Sequence, residues 1–272
     1  PSFVLGGASM DIVYNDKDLT SYISKAKQIN SDHPILIDKY LEKAKEIDVD
    51  ALSDGNDCVI AGIMEHIELA GVHSGDSACV LPPFSIKDEM LDQIRLATRK
   101  LAKRLNVIGL MNIQFAIKDE ELYILEVNPR ASRTVPFISK ATGVSWAKLA
   151  TRVITGSKIK ELNIKESLPT YYSVKEAVLP FNKFPQSDIL LSPEMKSTGE
   201  SMGIDDSFPL AFYKSQVSAG QVFPLRGKAF LSVGDKDKPY IISIAKKLTE
   251  LGFTLISTEG TSHYLKTHQI NS

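Results

Sequence analysis

Cysteine, tryptophan and long apolar runs are all scarce in this chain of 272 residues. Its only cysteines are Cys58 and Cys79, and Trp146 is its single tryptophan. Two isolated cysteines in apolar, strand-like surroundings are typical of reduced thiols and argue against a disulfide framework. No apolar run approaches the roughly 20 residues that a membrane span requires, and no signal peptide is recognisable. We therefore expect a cytoplasmic location and no membrane partner.

An excess of either charge is absent as well. The 32 Lys and Arg residues nearly balance the 33 Asp and Glu residues, which leaves a net charge of −1. Proteins that bind nucleic acid or anionic membranes usually carry a basic surface, so we expect neither partner. The length suffices for one large domain or two smaller ones.

The most informative stretch of the chain has the pattern of a β-hairpin. Two apolar runs, 110–117 and 122–128, flank a short polar turn. A turn centred on Glu120 would place Gln114 directly opposite Glu126. Because side chains alternate along a strand, Asn128 lies on the same face as Glu126. The pattern therefore predicts three polar side chains on one face of the hairpin.

These three side chains offer only oxygen atoms as metal ligands, from two amides and one carboxylate. Hard cations such as Mg²⁺ prefer oxygen ligands and usually keep waters or phosphate oxygens as their other ligands. Arg130 and Arg133 follow at once, and guanidinium groups are suited to phosphate oxygens. The pattern predicts phosphoryl transfer from a nucleotide bound with Mg²⁺ or Mn²⁺. The alternative is an ordinary surface hairpin whose polar face meets water.

Three long strings resemble the large subunit of carbamoyl phosphate synthase. They are MEHIELAGVHSGDSACVLPPF, EVNPRASRTVPFISKATG and YYSVKEAVLPFNKFP. The resemblance runs almost without interruption from residue 1 to about residue 227 and weakens beyond it. That subunit has two homologous ATP-grasp halves, and GDSACVLPP, LMNIQFA and PRASRTVPF resemble the second half, which phosphorylates carbamate. The first half, which makes carboxyphosphate, is the alternative within the family.

The resemblance implies an architecture and a domain boundary. Residues 1–219 are expected to form an α+β ATP-grasp domain, with antiparallel sheets and packed helices, that lacks its N-terminal part. Residues 220–272 are expected to begin an α/β methylglyoxal-synthase-like regulatory domain and to leave it incomplete. The chain starts inside a predicted strand without a methionine, so we expect a piece of a longer ATP-dependent ligase with little or no activity alone.

The resemblance also assigns roles within the ATP-grasp domain. Glu46 matches a carboxylate that binds the ribose, and His73 would reach phosphate or ribose. Arg130 and Arg133 would act on the transferring phosphoryl group, and a glycine loop at residues 6–7 would close over the phosphates. The metal ligands implied are Gln114, Glu126 and Asn128. The nucleotide contacts implied are Lys39, Leu41, Glu46, Gly71, Val72, His73, Ser74, Gln114 and Glu126.

The end of the chain resembles an effector-binding region. Lys238, Thr258 and Thr261 match its effector-phosphate positions, and the effectors implied are nucleotides or ornithine. Partners implied are a glutaminase small subunit and further copies of the large subunit, in pyrimidine and arginine biosynthesis. Two alternatives from other classes remain: another ATP-grasp ligase, such as a carboxylate-amine ligase or a biotin carboxylase relative, or a regulatory module that senses nucleotides.

Local patterns predict the remaining elements. Apolar runs bounded by turn residues predict strands at 2–5, 10–14, 34–41, 58–65, 173–180, 228–233 and 253–257. Helical periodicity and caps predict helices at 19–29, 87–105, 146–155, 207–218 and 239–251, the second of them capped by Ser85. Glu46, Asp48 and Asp50 alternate along a further strand, and we expect Asp48 and Asp50 to face water at a sheet edge.

Overall fold

The computed structural model describes residues 10–29, 35–164, 166, 169–184, 186 and 188–272. They divide into two compact units, with the boundary between Gln221 and Val222. Within these ranges, no helix combines the length and the apolar character that crossing a bilayer requires. The predicted strand at 2–5 and the glycine loop at 6–7 lie outside the described residues.

The first unit is built on a seven-stranded antiparallel sheet. Its strand order is β5-β4-β1-β2-β3-β6-β7. The strands are β1 (Lys45–Asp54), β2 (Cys58–Leu69), β3 (Cys79–Leu81), β4 (Ile108–Lys118), β5 (Glu121–Asn128), β6 (Tyr172–Val178) and β7 (Gly199–Asp205). Both cysteines lie on strands as free thiols, as predicted.

Five α-helices accompany this sheet in the described part of the first unit. They are α1 (Asp16–Ile29), α2 (Asp88–Arg104), α3 (Thr134–Thr142), α4 (Trp146–Ile154) and α5 (Phe208–Ser218). The N-terminus of α1 is fixed by Asn15, whose Oδ1 accepts from the backbone N–H of Asp18 at 3.0 Å. This bond satisfies one of the backbone donors that a helix start leaves free.

Alternation along β1 gives the sheet two different faces. Ile47 and Val49 point to one face, where they pack in a buried cluster with Ile94 of α2. Leu52 points to the other face and packs with Ile138 of α3 and Trp146 of α4. Both faces are therefore covered by helices over part of their area, which places β1 in the interior.

The prediction that Asp48 and Asp50 face water at a sheet edge is wrong. Hydrogen bonds join β1 to β2 on one side and to β4 on the other, and both carboxylates are at least 97% buried. Asp48 lies opposite Gln114 in the β1–β4 pair, so the two side chains share a face. The alternating acids of β1 therefore belong to a buried polar region, on the same face of the sheet as the polar residues of the hairpin.

Two of the predicted strands are also wrong. Residues 10–14 and 35–41 have no regular structure, although their apolar residues suit a strand. A strand needs a neighbour that accepts and donates its backbone hydrogen bonds, and no described strand pairs with either segment. Ser85 does not cap α2 either, because its hydroxyl donates to the buried Glu65 carboxylate.

The second unit is small and contains a parallel strand pair. β8 (Lys228–Leu231) and β9 (Thr254–Ser257) lie within the two predicted strands and pair in parallel, and α6 (Lys238–Glu250) joins them. A further helix, α7 (Glu259–Thr267), follows β9, with Thr258 at its N-cap. The core of this unit comprises Leu231, Ile241, Ala245, Leu255, Leu265 and Ile270.

Candidate functional site

The β4–β5 hairpin brings the predicted metal ligands together. Gln114 lies opposite Glu126, which confirms the predicted pairing, and Asn112 lies opposite Asn128. Nδ2 of Asn128 donates to Oε1 of Glu126 at 2.7 Å. A two-residue turn, Asp119-Glu120, joins the strands, and both turn residues have positive φ, as a type I′ hairpin requires.

The chemistry of this donor set fits a hard divalent cation. Nε2 of Gln114 donates to Oγ of Ser74 at 2.8 Å, and Nδ2 of Asn128 is engaged by Glu126, so the amide oxygens remain as potential ligands. No cluster of three or more His, Cys, Asp or Glu side chains suited to a metal exists among the described residues. The hairpin thus offers one carboxylate and two amide oxygens, a set that Mg²⁺ completes with phosphate oxygens and waters.

Residues 71–76 lie beside the hairpin and are fixed from several sides. Gln114 binds the Ser74 hydroxyl, and the buried Lys175 of β6 donates from Nζ to the Ser74 carbonyl at 3.2 Å. The buried Asp76 accepts from the backbone N–H groups of Lys196 and Ser197, at 2.7 and 2.8 Å. These bonds hold Ser74 and His73 close to the hairpin.

His73 is held in one neutral tautomer. Its Nδ1 accepts from the backbone N–H of Gly75 at 3.0 Å, which leaves Nε2 as the protonated nitrogen. Burial lowers the pKa of His73 below its usual value, and the Arg133 guanidinium adds to the effect, while Asp76 and Glu126 oppose it. The half-buried ring therefore presents a neutral N–H donor at pH 7.

The segment that contains Lys39 and Leu41 is fastened to Ala70, next to Gly71. The hydroxyl of Tyr40 donates to the carbonyl of Ala70 at 2.8 Å. Gly71 has a φ of 111°, and a Cβ at this position would lie 2.7 Å from Oη of Tyr40. Only glycine accommodates both the backbone angle and this close approach. Val72 follows as a partly exposed residue.

Glu46 lies beside His66, a buried histidine whose place near the site is not evident from the sequence. Nε2 of His66 lies 3.1 Å from Oδ2 of Asp48, and Nδ1 lies 3.5 Å from Oε2 of Glu46. Within the described residues, neither Nδ1 of His66 nor Oδ1 of Asp48 has a hydrogen-bond partner. Burial opposes a charge on His66, but the two carboxylates outweigh it and raise its pKa to about 9.

The two predicted catalytic arginines differ in their surroundings. Arg130 is exposed, and its Nη1 donates to the carbonyl of Ala131 at 3.1 Å. Arg133 lies at the N-cap of α3, with its guanidinium against Sδ of Met195. A Cβ on Gly75 would lie 3.3 Å from Nη1 of Arg133, so this guanidinium lies next to the segment that contains His73.

In the second unit, the predicted effector residues lie near the start of α7. Oγ1 of Thr258 donates to Oγ1 of Thr261 at 3.1 Å. Lys238 forms an ion pair with Asp235 at 2.7 Å, and a Cβ on Gly260 would lie 3.6 Å from its Nζ. A lysine and two hydroxyls at a helix N-terminus are suited to an anion. Their assignment to an effector stays a prediction.

Two family models match the sequence. One is described as the ATP-binding domain of the carbamoyl-phosphate synthase L chain and matches residues 1–162. The other is described as an MGS-like domain and matches residues 240–272. Together they cover parts of both structural units.

Curated relatives align with nearly the whole chain. The carbamoyl phosphate synthase large chain of Rhodopirellula baltica is 58% identical over 275 residues, covering 99% of this chain and 25% of that protein. The large chain from Methanosarcina barkeri is 54% identical over 271 residues, covering 99% of this chain and 68% of that protein. The C-terminal section of the large chain from Methanocaldococcus jannaschii is 51% identical, covering 99% of this chain and 46% of that protein. The chain spans about a quarter of the length of relatives such as the R. baltica protein.

Solved structures with a similar fold include biotin carboxylases. The biotin carboxylase domain of Hydrogenobacter thermophilus 2-oxoglutarate carboxylase, solved with MgADP, ADP and bicarbonate, has a TM-score of 0.56 and 19% identity, covering 67% of this chain and 41% of that chain. A biotin carboxylase from Campylobacter jejuni has a TM-score of 0.53 and 18% identity, covering 64% of this chain and 40% of that chain. At such low identity the likeness shows the ATP-grasp fold alone.

Proposed function

This chain belongs to the carbamoyl-phosphate synthase large-chain family, and from that premise we propose that it phosphorylates carbamate with MgATP. The products are carbamoyl phosphate and ADP. The observation that carries the proposal is the hairpin register, which places Gln114 opposite Glu126 with Asn128 beside them. Its relatives are much longer, so we also propose that this segment alone has little activity.

Glu126, Gln114 and Asn128 would hold Mg²⁺ through their oxygen atoms. Glu126 supplies the only full negative charge of the three, and its exposed carboxylate is available to a metal and to nucleotide phosphates. Bound Mg²⁺ supplies positive charge that offsets the phosphate charge during transfer. The role of the hairpin is to hold the three oxygen donors in fixed positions, since β4 is paired on both sides.

Nucleotide binding would use residues around the hairpin. His73 would donate from Nε2 to a phosphate or ribose oxygen, because Nδ1 is already occupied by Gly75. Glu46 would accept from the ribose hydroxyls, as a carboxylate beside the charged His66. The adenine would lie against residues 39–41, close to Gly71 and Val72, with Ser74 and Gln114 completing the phosphate side.

Arg130 and Arg133 would orient the phosphoryl group that leaves ATP. Transfer needs the carbamate oxygen, the phosphorus and the leaving oxygen in line, so positioning and charge do most of the catalysis. Two guanidinium groups can contact several phosphoryl oxygens at once. Arg133 lies against Met195 and next to Gly75, which fixes the region into which its guanidinium points.

The proposal extends to partners and regulation. We propose a glutaminase small subunit that supplies ammonia, association between large chains, and pyrimidine or arginine biosynthesis as the pathway served. Nucleotide or ornithine effectors would act through the second unit, where Lys238, Thr258 and Thr261 lie near one helix N-terminus. The family name of the relatives supports a multi-subunit enzyme; the effectors are supported only by this cluster.

A chimera tests the reaction directly. This chain replaces the aligned segment of the R. baltica large chain, and ATP formation from MgADP and carbamoyl phosphate is measured. Arg133→Ala should lower this rate about 100-fold, since it removes a cation from the transferring group. Arg104→Ala, an exposed arginine at the end of α2, is the matched control and should leave the rate unchanged.

The same chimera distinguishes the alternatives. If Arg133→Ala and Glu126→Ala abolish bicarbonate-dependent ATP hydrolysis but leave ATP formation intact, the chain corresponds to the carboxyphosphate-forming half. If neither substitution affects either reaction, the hairpin has no catalytic role, and the regulatory alternative is correct.

A further inference from the structure

Asp50 is a buried carboxylate with three side-chain hydrogen bonds. It lies on β1 and is 99% buried. Its Oδ1 accepts from Nδ2 of Asn112 on β4 at 3.0 Å. Its Oδ2 accepts from Oγ of Ser132 at 2.8 Å and from Oγ1 of Thr134 at 2.5 Å. One interior carboxylate thus binds a neighbouring strand and the segment that joins β5 to α3.

Placing a carboxylate in the interior is costly, so its hydrogen bonds need to offset the loss of water. The cost is visible in the pKa of Asp50, which burial raises to about 6 even though the bonds from Thr134, Ser132 and Asn112 lower it. An apolar residue here would pack without this penalty. The acid is therefore explained by what it binds rather than by packing.

What Asp50 binds is the immediate surroundings of a predicted catalytic arginine. Ser132 and Thr134 are the two sequence neighbours of Arg133, and their hydroxyls also lie 2.8 Å from each other. Both are tied to one oxygen atom of β1, which is a central strand. Arg130 is two residues before Ser132, and its backbone N–H donates to the carbonyl of Asn128 at 2.8 Å. The segment is thus fastened to the sheet on both sides of Arg133.

We propose that Asp50 is a positioning residue that fixes residues 130–134 to the sheet and thereby aims Arg133 at the transferring phosphoryl group. The first part of this proposal rests on the hydrogen bonds alone, and the second rests on the proposed function. Asp50 touches no substrate in this account and acts through Ser132 and Thr134. This positioning role explains why β1 has an acid at position 50, although a buried position in a central strand usually favours an apolar residue.

The test compares two acids of the same strand. Asp50→Asn keeps the shape of the side chain but replaces one of its acceptor oxygens with an NH₂ donor. This NH₂ group would face the groups that now donate to Asp50, which are hydroxyls and an amide. Asp54→Asn is the matched control, because Asp54 is 3% exposed on β1 but accepts from the backbone of Asn56, Asp57 and Ile159 instead. Amide hydrogen exchange is measured for both variants. We expect about tenfold faster exchange at 130–134 in Asp50→Asn and no change there in Asp54→Asn.

A second readout separates positioning from a general loss of stability. Calorimetry measures the affinity for MgADP and for the Mg²⁺ complex of the β,γ-imido analogue of ATP. Asp50→Asn should leave MgADP affinity within about twofold and weaken the analogue about tenfold, because only the analogue presents a third phosphoryl group to Arg133. Ser132→Ala removes one donor and leaves the buried acid intact, so it should act in the same direction even if Asp50→Asn folds poorly.

Unchanged exchange at 130–134 in both Asp50→Asn and Ser132→Ala would overturn the inference. Faster exchange throughout the sheet, with both nucleotides weakened equally, would overturn it as well, because Asp50 would then serve only the stability of the core. If the unsubstituted chain binds neither nucleotide, the proposed nucleotide site fails for this chain alone, while the exchange at 130–134 still decides whether Asp50 holds the segment.

Discussion

His66 is charged in the interior because both of its ring nitrogens face carboxylates. Nε2 lies 3.1 Å from Asp48, and Nδ1 lies 3.5 Å from Glu46. Burial alone favours the neutral ring, yet the carboxylates raise the pKa of His66 from 6.5 to about 9. Since Glu46 is the proposed ribose ligand, the charge of His66 bears on both stability and the nucleotide site.

The raised pKa predicts a pH dependence of stability. A folded-state pKa above the unfolded value means that the native state binds the proton more tightly, so the contribution is fully present below pH 6.5. It is lost as the pH rises through about 9. We expect the free energy of unfolding in urea to fall over this range, and His66→Asn to remove this part of the fall.

The control is His263→Asn, which removes an exposed histidine from the second unit. It should leave the pH dependence of the first unit unchanged, as followed by the fluorescence of Trp146. If His66→Asn keeps the same slope between pH 7 and pH 9, the charged-histidine account is wrong.

For single residues, the sequence predicts which polar side chains of the hairpin lie together but not the buried acids. Alternation places Glu126 and Asn128 on one face, but the observed pairing of Gln114 with Glu126 also depends on a one-residue register shift between Gln114 and Phe115. The two-residue turn alone would place Gln114 opposite Leu125. The alternation of Asp48 and Asp50 fits two kinds of strand equally well. One is an edge strand whose acids face water, and the other is a central strand whose acids face a buried polar site. Only the pairing of β1 with β2 and β4 distinguishes the two cases, and that pairing joins residues far apart in sequence.

At the element scale, β7 and α5 are packed with backbone against backbone. A Cβ on Gly203 would lie 2.1 Å from the carbonyl oxygen of Ala211 and 2.4 Å from the backbone nitrogen of Ser215. No side-chain adjustment relieves such contacts, because both atoms belong to the helix backbone. Gly203 therefore sets how closely α5 approaches the sheet.

Gly203→Ala should lower the free energy of unfolding by about 3 kcal/mol, through overpacking and displacement of α5. The measurement is urea unfolding followed by the fluorescence of Trp146. Gly199→Ala on the same strand is the matched control, because a Cβ there would meet Val178 at an ordinary 3.6 Å. Equal effects of the two substitutions would contradict the close-packing account.

Helices and strands are predictable where the local sequence of one segment determines its structure. The periodicity of α2 and α4 and the runs of β2, β4 and β5 all predict their elements closely. Residues 10–14 and 35–41 have equally apolar runs but no described partner strand, and local sequence cannot supply one. α3 is less visible, since Pro136 lies within its first turn, where a helix tolerates proline.

At the scale of the whole molecule, the two units differ in the size of their cores. The first unit has separate apolar clusters on both faces of its sheet, whereas the second depends on one cluster of six buried residues. Small units bury a smaller fraction of their surface and have little stability to spare. The second unit should therefore tolerate few losses of apolar contact.

Leu265→Ala should destabilise the second unit by about 3 kcal/mol, because Leu265 is fully buried in its core. Amide exchange across α6 and β9 should rise strongly in this variant. Leu251→Ala is the matched control, since Leu251 is 61% exposed and should change exchange little. Comparable exchange in the two variants would show that the cluster around Leu265 does not stabilise the unit.

Calorimetry of MgADP binding decides whether the β4–β5 hairpin is the metal and nucleotide site. The chain, Glu126→Ala and the control Glu121→Gln on the same strand are titrated with MgADP and with ADP lacking Mg²⁺. The account predicts that Glu126→Ala loses the Mg²⁺-dependent part of the affinity, by about tenfold or more, while Glu121→Gln binds like the chain. Equal, Mg²⁺-dependent binding by the chain and by Glu126→Ala would contradict the assignment of the hairpin. Lys238 and Thr258 would then be the next residues to test as the nucleotide site.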